Sequence, residues 1–72
     1  MARKNELVLT AIALVQIGER LEKSREKLRM MVAQGVSYES EEMKEALQDF
    51  LRLEQQWKAL EEEYLRLKGE ML

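Results

Sequence analysis

Two acidic clusters, one basic run, a serine and two large aromatic rings are the places in this chain where side-chain chemistry could gather. Glu41, Glu42, Glu45 and Asp49 spread over about two helical turns, and Glu61, Glu62 and Glu63 point in three directions around a helix. Neither set makes the focused pair that proton transfer needs. Carboxylate-bridged metal sites in helical bundles draw on Glu-x-x-His motifs, and the sequence has no His and no Cys. That composition removes the common zinc and haem sites, any disulfide, and the base that would turn Ser24 into a nucleophile. Lys23, Arg25, Lys27 and Arg29 are interleaved with Glu22 and Glu26 and read as a balanced, solvated face. A net charge of -2 and a pI near 5.2 lie far from the basic footprint that a phosphate backbone demands. Trp57 and Tyr64, seven residues apart, belong to a packing seam rather than to a platform for stacking bases. The chemistry therefore predicts no catalytic, cofactor or metal site and no nucleic-acid partner. A protein that acts by binding is expected, not an enzyme.

The elements that position these residues follow from composition and period. Seventy-two residues make one small domain, and 36% charged with 46% hydrophobic residues, three Gly and no Pro is the composition of long helices. Leu7, Thr10, Leu14, Ile17, Leu21, Ser24, Leu28 and Met31 alternate spacings of three and four, as do Met43, Ala46, Phe50, Leu53, Trp57, Leu60, Tyr64, Leu67 and Met71. Both are heptad seams of the coiled-coil type. Asn5 is a good N-cap ahead of Glu6, Gly35 is placed to end the first helix in the left-handed conformation, and Ser37 or Ser40 can cap the second. Glu39, Glu41 and Glu42 are then expected in the first turn, where they complement the positive end of that helix, while Arg66 and Lys68 precede Gly69 at its other end. The expected organisation is a single domain over 1–72, with a helix at about 5–34, a turn at about 35–40 and a helix at about 41–68.

A short turn makes the two helices antiparallel, so facing seam residues carry position numbers that add to a constant. Here that constant is 74, which sets Met31 against Met43, Leu28 against Ala46, Ser24 against Phe50, Leu21 against Leu53, Ile17 against Trp57, and Leu7 against Leu67. Thr10 and Ser24 are small where Tyr64 and Phe50 are large, and a hydroxyl can bond back to a helix carbonyl. Lys27 and Asp49 flank the seam as a charge pair that favours this register.

One seam is a thin core, and the sequence shows where further burial could come from. Val8, Leu9, Ala11, Ile12, Ala13 and Val15 make the first third of the first helix apolar around its circumference. Ala11 and Gly18 would let another backbone approach, and Leu47 and Leu51 add a strip beside the second seam. Val8, Ala11, Ile12, Val15, Gly18, Leu47 and Leu51 are thus the expected self-association surface. The fold class is all-α, an antiparallel helical hairpin of the coiled-coil type that pairs as a homodimer into a four-helix bundle. Arg3 and Lys4 ahead of the apolar stretch from Leu7 to Gly18 imitate a signal peptide. Glu6 sits in the would-be positive region, however, Thr10 and Gln16 interrupt the run, and no small-residue cleavage site follows. The run is also shorter than the roughly 20 apolar residues of a membrane span. A cytoplasmic protein without a membrane partner is expected.

The segment Leu21-Glu22-Lys23-Ser24-Arg25-Glu26-Lys27-Leu28, then Val32-Ala33-Gln34-Gly35 and an acidic start to a second amphipathic helix, resembles the small sporulation-regulating aspartyl-phosphate phosphatases of spore-forming bacteria. The resemblance covers roughly residues 21 to 57, and most of it is what any helical hairpin shares. That family carries a Ser-Gln-Glu-Leu-Asp signature on its second helix, which the resemblance implies acts on the phosphoaspartate of a response regulator. The matching segment here is Leu47-Gln48-Asp49-Phe50-Leu51. Gln48 is retained, Asp49 stands for Glu, Phe50 for Leu, and the signature Ser and Asp are Leu47 and Leu51. A leucine cannot orient water at a phosphoryl centre, so the expected function is non-catalytic: a regulator, adaptor or assembly factor that binds itself and an unidentified protein partner. Gln48 and Asp49 are its expected partner contacts. The alternative is a phosphatase-like modulator of a phosphorylated response regulator.

Overall fold

The computed structural model describes the backbone of residues 2–71 and the side chains of residues 4–70. It is an antiparallel helical hairpin: α1 spans Ala2–Ala33, α2 spans Glu41–Met71, and the two pack along a body of 51 × 15 × 15 Å. Four points along that length show the register. Met31, Met43 and Ala46 are buried together at the turn end, with Leu28 and Val36 packed against them. In the middle, the Trp57 ring lies against Gly18. Beyond it Leu67 is buried, and Glu6 of α1 lies close enough to Arg66 of α2 to raise its pKa.

The turn is built by local chemistry. Gly35 has φ 77°, and the Gly35 N–H donates to the Val32 carbonyl at 3.0 Å while the Val36 N–H donates to the Met31 carbonyl at 2.9 Å. That double bond is the Schellman arrangement, and the packing of Val36 on the Met31 cluster is its usual hydrophobic companion. Ser40 supplies the N-cap of α2: its Oγ accepts the Met43 N–H at 3.2 Å and donates to the Ser37 carbonyl at 2.8 Å. Ser37 instead shapes the turn, its Oγ accepting the Glu39 N–H at 3.1 Å.

Both outer helix ends run past their expected limits. α1 begins at Ala2, so Asn5 lies inside the helix and is not its cap. Nothing in Ala2, Arg3 or Lys4 opposes helix, and a good cap residue does not start one where the chain before it is also helical. Gly69 does not stop α2, which continues to Met71. A glycine in a helix costs about 1 kcal/mol, and Arg66 spans this one by holding Glu63 on one side and Glu70, at 3.0 Å, on the other. The hydrogen bond to Glu63 and its charge, with a smaller contribution from Glu6, hold the Arg66 guanidinium above its already high pKa.

The seam is thin. Met31, Met43, Ala46 and Leu67 are buried, whereas Leu14, Ile17, Leu21, Phe50, Leu53, Trp57 and Leu60 are only half-buried. The accessible surface is 5728 Å², against about 4,700 Å² for a compact monomer of this mass. Two helices side by side cover one stripe each and leave the rest to solvent. No helix among the described residues is long and apolar enough to cross a membrane.

Candidate docking surfaces

The two flanks of the seam differ in chemistry, and the first of them is apolar at the open end of the hairpin. Residues at spacings of three and four share a helix face, which brings Val8, Ala11, Ile12 and Val15 together as expected. Val8, Ile12 and Val15 are 57%, 49% and 62% exposed, and the smaller Ala11 between them leaves a shallow depression of about 360 Å³, rimmed by Gln16. Leu9 is exposed as well, on another bearing of the same turn.

The other residues expected on this surface are placed elsewhere. Gly18 turns toward α2: a Cβ there would lie 3.7 Å from the Trp57 ring nitrogen, an ordinary contact, so this position faces Trp57 of the same chain. Leu47 and Leu51 are exposed, but the register sets them level with positions 27 and 23 of α1. At 1.5 Å per residue, that is roughly 12 Å or more along the axis from Val15. Near the turn, Arg25, Leu28, Arg29, Val32 and Ala33 line a second depression of about 400 Å³. Val32 and Ala33 follow Met31, the last seam residue of α1, and no motif singles them out. Their positions next to the heptad seam were the available signal.

The opposite flank is a charged groove of about 500 Å³ between the helices, lined by Arg20, Lys23, Ser24, Lys27, Asp49, Arg52, Leu53 and Gln56. Ser24, the short seam residue of α1, lies on its floor beside Leu53. The run read as one balanced face is here divided in two. Arg25 and Arg29 pair along the helix with Glu22 at 3.2 Å and Glu26 at 3.6 Å, while Lys23 and Lys27 turn into the groove with Arg20. Arg20, Lys23 and Lys27 make no ion pair within 4 Å among the described residues. Asp49, the expected partner of Lys27, pairs instead with Arg52 at 3.6 Å, its neighbour one turn along α2. The spacing i, i+3 on one helix brings the two charges together without bridging the seam.

Gln48 and Asp49 are both exposed, Asp49 in the groove. No three Asp or Glu side chains converge closely enough to hold a cation among the described residues. Thr10 returns its hydroxyl to the Glu6 carbonyl at 2.7 Å, whereas Ser24 makes no side-chain hydrogen bond among the described residues. No family model matches the chain, nor does any curated protein or solved structure.

Proposed function

We propose that this protein is a non-catalytic interaction module, a regulator, adaptor or assembly factor that homodimerises in the cytoplasm and binds a further protein. The observation that carries the reading is the cluster of Val8, Ile12 and Val15, three branched apolar side chains about half exposed or more on one face of α1. Their spacing on a helix makes a continuous stripe, and stripes of this kind mark association surfaces. Two hairpins laid together along this flank make a four-helix bundle over their shared length, which supplies the burial that a single seam lacks. Light scattering at micromolar concentration is expected to give twice the chain mass, and Ile12→Glu to return it to one chain, since an unpaired charge is expelled from an apolar interface. A folded wild-type monomer at that concentration removes the reading.

A second reading, a phosphatase-like modulator of a phosphorylated response regulator, is favoured by one observation: Gln48 and Asp49 are exposed side by side on α2. The expected outcome is no acceleration of phosphate loss from a phosphorylated regulator. Acceleration that Asp49→Ala abolishes would reverse the ranking.

A further inference from the structure

The apolar flank of α1 carries a charge at each end. Lys4 precedes Val8 by four residues and Glu19 follows Val15 by four, so Lys4, Val8, Ala11, Ile12, Val15 and Glu19 share one face of the helix. Lys4 and Glu19 are both exposed, and neither makes an ion pair within 4 Å among the described residues. The stripe therefore complements its own reversal: cation meets anion at the ends, a branched apolar residue meets a branched apolar residue, and a small residue meets a branched one at the centre.

We propose that the occupant of this flank is a second copy of the chain, with the two α1 helices antiparallel and facing residues numbered to add to 23. The inference rests on the homodimer reading and gives it an orientation and a register. Antiparallel pairing about the midpoint between Ala11 and Ile12 sets Val8 against Val15 of the other copy, Ala11 against its Ile12, and Lys4 against its Glu19. The two-fold axis makes every one of these contacts occur twice. Ala11 lets the backbones close at the centre, and the depression beside it receives the Ile12 side chain from the other copy. A parallel arrangement sets Lys4 on Lys4 and Glu19 on Glu19, and both like-charge contacts are repulsive. The surface that a two-helix body leaves in excess, about 1,000 Å² over a compact monomer, is of the order that one partner buries in a standard interface.

The register also says what stays open. The shared length ends near position 19 of each α1, so Leu47, Leu51, Val32 and the Arg20, Lys23, Lys27 groove lie largely beyond it. The two turn ends point in opposite directions, and the assembly presents the same docking surface twice.

The chain has no Cys, so cysteines introduced singly report the pairing without background. Val8→Cys and Val15→Cys are each expected to stay uncrosslinked alone, because like positions lie roughly 10 Å apart along the axis. An oxidised mixture of the two is expected to form the 8-to-15 disulfide. Lys4→Glu is expected to weaken dimerisation about fivefold and the double change Lys4→Glu with Glu19→Lys to restore it, each pair being an exposed ion pair formed twice. Crosslinking of Val8→Cys to itself overturns the antiparallel orientation. A dimer by light scattering that yields no 8-to-15 disulfide overturns the register and leaves the homodimer standing. A monomer removes both.

Discussion

The open half of α1 and the seam of α2 are both apolar and meet different fates. α2 carries most of its apolar side chains on one stripe, leaving Leu47, Leu51 and Leu65 beside it in solvent, and Met43, Ala46 and Leu67 on that stripe are buried by the single partner the chain provides. α1 scatters its apolar side chains around the helix, and Val8, Leu9, Ile12 and Val15 remain exposed. A hairpin covers about one face of each helix, so a helix apolar on one face is satisfied within the chain and a helix apolar on several is not. The difference leaves the α2 seam covered within the chain and the first half of α1 with apolar side chains in solvent.

The sharpest break in that comparison is expected from paired truncations. Met43→Ala removes a side chain buried in the turn-end cluster and is expected to cost about 2 to 5 kcal/mol of hairpin stability in urea melts. Val15→Ala, made in the monomeric Ile12→Glu background at the same concentration, is expected to change stability by less than about 0.5 kcal/mol. Equal costs would mean that α1 buries this face within its own chain.

The turn holds the two helices in register, and its caps come next in size. Gly35→Ala meets no atom within 4 Å, so its whole effect is backbone strain at φ 77°, expected to cost about 1 to 2 kcal/mol by thermal unfolding. Ser40→Ala removes the oxygen that accepts the Met43 N–H and is expected to cost about 1 kcal/mol, with Ser40→Thr recovering most of it. A cost of zero at Ser40 would transfer the cap to Ser37. The smallest effect is expected on the outer face of α2. Lys58 pairs with Glu54 at 3.9 Å in solvent, and Lys58→Ala is expected to change stability by less than about 0.5 kcal/mol, at low salt or high.

The expected seam and turn agree closely with the structure. Alternation of three and four located both helices, Gly35 stands where its cap chemistry places it, Ser40 is the one of the two candidate serines that caps α2, and Met31, Met43, Leu28 and Ala46 meet as the constant sum requires. The helix ends were less legible, because Asn5 and Gly69 act as stop signals only where the flanking chain leaves the helix, and here it does not. The candidate surface was legible in part. Val8, Ala11, Ile12 and Val15 share a face by spacing alone, while Gly18, Leu47 and Leu51 were grouped with them by composition, which carries no information about bearing or height.

Sequence by itself determined much of what depends on one helix at a time: which residues share a face, and where the left-handed residue must be glycine. Only the tertiary structure decided what depends on two. It placed Trp57 over Gly18, divided the basic run so that Lys23 and Lys27 enter a groove with Arg20 while Arg25 and Arg29 stay with their glutamates, and paired Asp49 along α2 instead of across the seam. The physical reason is rotational. A helical period fixes the angle between residues about their own axis, but how far each helix is turned toward the other is settled by how the seam side chains of both helices pack.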